Sequence, residues 1–241
     1  MSDNIASEIS SGSSSEYFST SWAAYKKILE NNYMGHAEAY EVLRQIISNE
    51  VRKPFRFLDL ACGDACYSSR ALRDTDVALY AGIDLSEAAL QAAAQELTRL
   101  GCGKELKKGD LNEFDSLVEP PFDVVWIGLS LHHLDTVAKA GFMKRVHDAL
   151  SEDGVFLIYE PVYIEGENKE AYFDRIKGII ENTWTGLSQE EAETLLEHVK
   201  TTEIPETMST WTGLGNDAGF KTAEKIFSEP TGLYSIFMFR K

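Results

Sequence analysis

One segment, Phe57-Leu58-Asp59-Leu60-Ala61-Cys62-Gly63-Asp64-Ala65, constrains this chain more than any other. An apolar run closes on an acid and then a turn of small residues that opens a helical stretch at 65–73. Small side chains at Ala61, Gly63 and Ala65 let a ligand come close to the backbone, and a helix start offers N–H groups without partners. Taken alone, such a turn fits tight strand-to-helix packing as well as it fits a nucleotide-like guest. Asp84 shifts the balance. It ends the next apolar run 84 − 63 = 21 residues after Gly63, close to the ~20-residue spacing at which open α/β folds place an acid on ribose hydroxyls. A dinucleotide fingerprint G-x-G-x-x-G is not met, because Ala61, Gly63 and Cys66 occupy its three positions. Asp59 would also repel a pyrophosphate, whereas it suits a cofactor whose polar end carries an ammonium group.

The surrounding pattern supports a parallel sheet. Short apolar runs at 55–60, 78–83, around Leu106, 122–129 and 155–160 alternate with helical stretches at 65–73, 87–100 and 137–150, the rhythm of βαβ units. Ser86 and Thr136 are placed to cap the second and third of these helices. Upstream, apolar residues at helical spacing predict two helices hinged at 31–35. The serine-rich 1–15 is expected as a flexible arm, 16–54 as an N-terminal helical cap, and 55–241 as one domain. Within that domain 162–219 interrupts the rhythm with a helical insertion, in which Ser188 and Glu191 form a capping box. Runs at 220–227 and 234–239 around Pro230-Thr231-Gly232 predict an antiparallel hairpin at the sheet edge.

Composition narrows the partners. With 23 Lys+Arg against 39 Asp+Glu the formal net charge is −16, and no basic run exceeds a pair, which disfavours a nucleic-acid substrate. The three cysteines are too few and too irregular for a disulfide framework or a zinc site, so a reducing cytoplasm is expected. No apolar stretch approaches the ~18 residues of a bilayer span, and the N-terminus has no apolar secretory core. A soluble protein acting on a small molecule is the expectation, with no membrane, nucleic-acid or metal partner.

On its motifs, the chain resembles the class I S-adenosylmethionine-dependent methyltransferases across roughly 55–241. Leu58–Ala65 looks like that family's first motif, L-D-x-G-C-G-x-G, with Ala61 and Ala65 in place of two glycines. Gly82-Ile83-Asp84-Leu85-Ser86, Gly109-Asp110-Leu111, 122–129 and 150–154 resemble its later landmarks in the right order. The resemblance implies a Rossmann-like three-layer α/β sandwich: a seven-stranded, mostly parallel sheet with an antiparallel last strand. It implies that S-adenosyl-L-methionine is held by Asp59, Ala61, Cys62, Gly63, Asp84 on the ribose, Leu85 on the adenine, Asp110, Leu111 and Leu129. It also places the acceptor pocket in 16–54 and 162–219.

Methyl transfer from a sulfonium is an in-line displacement. Alignment can supply ~7 to 11 kcal/mol, while a general base adds ~10²- to 10⁴-fold in rate. His132 and His133, just beyond the fourth strand, are the proton-acceptor candidates, with packing under the next helix as their alternative role. Glu160 and Tyr163 are candidates to hold a cationic or hydroxylated substrate, as are Tyr33 and His36 from an aromatic-rich stretch that also contains Tyr25, Met34 and Tyr40. The expected activity is methylation at N or O of a small molecule. The alternatives are a silent cofactor-binding module of the same fold or a protein methyltransferase. The acceptor and the oligomeric state are not legible in the sequence.

Overall fold

A computed structural model describes residues 22–241; the expected arm at 1–15 lies outside them. The described residues divide into two compact units, one of 37–166 with 204–241 and one of 22–36 with 167–203. The two N-terminal helices, expected as parts of one cap, therefore fall largely in different units: α1 is Trp22–Glu30, and α2 is His36–Glu50.

The larger unit is built on a sheet. Its strands are β1 Phe55–Leu60, β2 Val77–Asp84, β3 Gly103–Lys108, β4 Phe122–Gly128, β5 Leu150–Tyr163, β6 Glu206–Thr207, β7 Thr222–Ser228 and β8 Tyr234–Arg240. The spatial order is β3-β2-β1-β4-β5-β8-β7, and the two-residue β6 pairs separately with β5. Strands β1 to β5 are mutually parallel, while β8 is antiparallel to both β5 and β7. Only β8 is reversed, which matches the expected mostly parallel sheet. The helices are α3 Cys66–Ala71, α4 Glu87–Glu96, the single-turn α5 Phe114–Leu117, α6 Thr136–Ala149 and α9 Met208–Ala218. α4 is capped as expected, with Ser86 Oγ accepting from Ala89 N at 3.2 Å. For α6 the expectation of Thr136 is corrected. Asp135 caps it, accepting from Ala138 N at 2.8 Å, while the Thr136 hydroxyl donates to Glu206 Oε1 at 2.7 Å. A carboxylate at the helix start gains from the helix dipole as well as from the hydrogen bond.

Alternation along the strands gives the sheet two unlike faces. Leu58, Leu60, Ile83, Val125, Ile127, Phe156, Ile158, Phe237 and Phe239 join Phe142 and Val146 of α6 and Trp211 of α9 in one apolar core. The register pairs Asp59 with Gly82 and with Trp126, and Gly128 with Tyr159. The opposite face therefore carries Asp59, Tyr80, Trp126 and Tyr159, a set rich in polar tips, and Tyr40 of α2 packs on it with its ring 5.0 Å from that of Trp126. β3, at one edge, is exposed along most of its length and carries Lys104, Lys107 and Lys108, charges that discourage pairing with another chain.

The smaller unit joins α1 to α7 Lys169–Thr183 and α8 Gln189–Thr202. Lys27 pairs with Glu191 at 2.8 Å, the Tyr33 ring stacks on Trp184 at 5.2 Å, and the Tyr33 hydroxyl accepts from Gly186 N at 2.6 Å. Ser188 and Glu191 form the expected capping box at the start of α8.

Candidate active site

The turn after β1 is bent into a shape that its sequence only half advertises. Ala61, Gly63 and Ala65 have φ of 56°, 54° and 54°, the left-handed region that costs an L-residue ~1 to 2 kcal/mol. Hydrogen bonds hold it there. Cys62 N donates to Ile83 O at 3.0 Å, and Ala65 N to Cys62 O at 2.9 Å. Gly63 N donates to Asp84 Oδ2 at 2.9 Å. A side chain added at Gly63 would meet nothing within 4 Å, so this is the open side of the turn.

Asp84 ties the end of β2 to the turn. Its Oδ1 accepts from Ser86 N at 2.8 Å, and burial raises its carboxyl above the usual range. A carboxylate offers about four lone-pair sites, so two backbone donors leave capacity for two hydroxyls. Beside it Leu85 is 52% exposed, a large apolar side chain left in water. Gly109 N donates to Asp84 O at 3.1 Å, which brings the loop after β3 alongside. There Asp110 Oδ1 accepts from Asn112 N at 2.7 Å, and Leu111 is half-buried. Leu129, with φ 55°, follows β4, and its N–H donates to Tyr159 O at 2.7 Å. Ala61, Cys62, Gly63, Asp84, Leu85, Asp110, Leu111 and Leu129 thus all lie at the carboxyl ends of β1 to β4. The strand order reverses between β1 and β4 there, the position at which open α/β sheets take their ligands. Cys62 is buried, and burial pushes its thiol far up.

Asp59 is a correction. It was expected to meet an ammonium group, yet the residue is 2% exposed and its Oδ2 accepts from the Tyr80 hydroxyl at 2.6 Å. Alternation puts it on the face with Tyr80, beneath the turn, and burial pushes its carboxyl up to about 7. Glu160 is a second. Instead of opening towards a substrate it is fully buried. Its Oε1 accepts from Ser130 N at 3.0 Å and from Leu131 N at 2.9 Å. Its Oε2 lies 3.2 Å from His132 N and 2.7 Å from His132 Nδ1. A carboxylate this enclosed is tolerable only because donors surround it. The His133 ring lies 4.2 Å from that of His132.

A neighbouring group belongs to no motif. Lys139 on α6 is fully buried and donates to Glu206 at 2.9 Å and to Ile204 O at 2.5 Å, while Ile204 N donates to His132 O at 2.7 Å. The signal was available: Lys139 shares the helical stripe of Phe142, Met143 and Val146, where a lysine needs a buried partner. Tyr33 and His36 belong to the smaller unit, and Glu160 and Tyr163 to the larger. Tyr33 is engaged by Gly186 and Trp184 as described, and burial holds the His36 imidazole down to about 4. Tyr163 is half-buried where β5 pairs with β6.

Comparison with known proteins agrees with this geometry. Residues 57–154, which contain the turn, Asp84, Asp110 and the β4 loop, match the family model described as "Methyltransferase domain". Over that span the chain is similar to the S-adenosylmethionine-dependent methyltransferases. Relatives of this methyltransferase include the carboxy-S-adenosyl-L-methionine synthase of Nautilia profundicola, 22% identical over 85% of this chain and 86% of its own. That of Campylobacter curvus is 25% identical over 78% and 80%. Among solved structures, the plantazolicin methyltransferase BpumL, with a monoazolic desmethylPZN analog and SAH, superposes with a TM-score of 0.67 at 14% identity, covering 97% of this chain and 96% of that one. BamL, with a triazolic analog and SAH, gives 0.66 at 15%, covering 93% and 92%. S-adenosylmethionine is the methyltransferase's cofactor, and the residues at the strand ends fit it: an open turn, a strand-end carboxylate with spare lone pairs and an exposed leucine beside it. Among the described residues no helix is long and apolar enough to cross a membrane, and no cluster of three or more His, Cys, Asp or Glu could hold a metal ion.

Proposed function

We propose that this methyltransferase moves the methyl group of S-adenosylmethionine to N or O of a small-molecule acceptor in the crevice outside β1 and β4. The observation that carries the reading is the Gly63 N to Asp84 Oδ2 bond at 2.9 Å, which locks the turn and the strand-end acid into one cradle. Asp84 holds the ribose and Leu85 covers the adenine. Asp110 and Leu111 border the base, and Ala61, Cys62 and Leu129 line the methionine portion. When bound, the cofactor supplies an electrophilic methyl carbon on a sulfonium.

His132 takes the acceptor's proton where one must leave. Glu160 lies 2.7 Å from its Nδ1 and favours the tautomer with hydrogen on that nitrogen, which leaves Nε2 as the accepting atom. His133 stands next in line, and Tyr163 belongs to the acceptor side. In a calorimetric titration with S-adenosylmethionine, the wild type binds and Asp84→Ala loses most of that affinity. Incubation with a panel of amines and phenols then yields methylated product, and His132→Ala slows its formation by up to ~10⁴-fold where deprotonation limits. Cofactor binding with transfer to no small molecule, and methyl label in lysate protein instead, would replace this acceptor class with a protein.

A second reading is favoured by the relatives named carboxy-S-adenosyl-L-methionine synthase: the nucleoside itself is the molecule modified. Mass spectrometry of the nucleoside fraction, after incubation with a carboxyl donor, separates the two, because methyl transfer leaves S-adenosylhomocysteine, whereas the second reading replaces a hydrogen of S-adenosylmethionine with a carboxyl group drawn from that donor.

A further inference from the structure

Packing alone does not explain Lys139. It is fully buried on α6 beside Phe142, Met143 and Val146, where an ammonium is costly to desolvate and an apolar side chain of equal length is not. Its N–H groups go to Glu206 Oε1 at 2.9 Å and to Ile204 O at 2.5 Å, and its charge lies 5.6 Å from the centre of the Trp211 ring. Enclosed in this way, the ammonium reaches no ligand itself. Any effect it has on chemistry passes through these partners.

Ile204 leads to the site. Its N–H donates to His132 O at 2.7 Å, while its carbonyl is the one that Lys139 holds, so a single residue ties the lysine to the histidine. β6 pairs with β5 in parallel, Val162 opposite Glu206. Glu160 and Ile204 each stand two residues before that pair, and His132, in the single turn Leu131–His133, is bonded to both. Glu160 accepts from the His132 N–H and meets Nδ1, whereas Ile204 donates to the His132 carbonyl. Thr136 adds a second grip of α6 on Glu206, at 2.7 Å, and Glu160 is near enough to help hold the charge of Lys139. We propose that Lys139 is a positioning residue for His132, fixing Ile204 so that its N–H clamps the His132 carbonyl while Glu160 grips the opposite side. This rests on the reading of His132 as the proton acceptor and adds what keeps its ring aligned. Held by Glu160 alone, the turn could swing about that one carboxylate; the second hold removes this freedom, and small displacements of a reacting group are costly in rate.

The test reads the bond and the ring separately and needs no acceptor. Nuclear magnetic resonance of the isotope-labelled full chain follows amide exchange at Ile204 and the two ring-nitrogen signals of His132, measured where the ring is neutral. Wild type and Lys139→Met are compared, with His132→Gln to assign the ring. Lys139→Met is expected to speed exchange at Ile204 about tenfold, the weight of one hydrogen bond. It is also expected to narrow the gap between the two His132 signals as the second tautomer becomes populated, while the other histidines and the amides of β1 and β2 stay as in wild type. Faster exchange at Ile204 with an unchanged His132 ring would show that Lys139 only packs. No change at either, or equal changes at every histidine, would overturn the assignment as well. Lys139→Met leaves the Glu206 carboxylate without its cation, so Lys139→Met combined with Glu206→Gln, which removes both charges, decides the question if the single variant does not fold. A wild type whose His132 carries its hydrogen on Nε2 would instead remove the proton-acceptor reading, and this proposal with it.

Discussion

Ala61 and Ala65 stand where the family motif has glycine, and both adopt the conformation glycine was suited to. The strain is local and testable. Ala61→Gly relieves ~1 to 2 kcal/mol in the folded state and returns ~0.4 to 1 kcal/mol through the freer unfolded chain. The net expectation is a gain of up to about 1.6 kcal/mol, read as a higher urea midpoint at unchanged slope; a lower midpoint would show that the methyl group packs usefully. Asp84 carries two duties, since its oxygens accept from Gly63 N and Ser86 N. Asp84→Asn is expected to weaken cofactor binding by ~1.5 to 3 kcal/mol and also to loosen the turn, seen as faster amide exchange at Gly63. Lost affinity without faster exchange would confine its role to the ligand. The sequence showed Asp84 by spacing alone, but the two alanines hid the geometry of the turn, because alanine normally signals no left-handed residue.

At the scale of elements, the loop between β4 and α6 hangs from one carboxylate. Glu160→Gln replaces an acceptor of four contacts with a group whose amide nitrogen faces donors, and is expected to cost ~3 to 5 kcal/mol. Amide exchange should localise the damage to 129–133 while β1 and β2 stay protected; uniform loss across the sheet would contradict a local role. The strands were readable because buried parallel strands are nearly continuous apolar runs. Thr136 and Asp135 are adjacent residues that can both cap, and only the helix's first turn decides between them. Glu160 looked like a strand-end acid because its partners, 28 to 30 residues earlier, meet it only once the sheet has formed. β6, two residues long, leaves no periodicity to read.

Across the molecule, two buried groups bend stability against pH in opposite directions. Burial pushes Asp59 up to about 7, so the folded protein keeps a proton that the unfolded chain releases near its ordinary value of ~4, and stability falls as pH rises between them. His36, held down to about 4, stays neutral while the unfolded chain takes up a proton below its ordinary ~6.5, and stability falls on acidification. Asp59→Asn should therefore gain on wild type as pH rises from about 4 to 7, and His36→Gln should gain as pH falls through the same range, each followed by urea midpoint on ligand-free protein. Parallel curves for variant and wild type would mean that the group titrates alike in both states.

The reversed strand β8 has a consequence for how the protein is made. It is the partner of β7 and the outer neighbour of β5, yet it comes off the ribosome after both. A chain that has reached Gly232 holds a row of unanswered amides along β5 and, in β7, a ribbon with nowhere to dock, until Tyr234–Arg240 arrive to zip both seams at once.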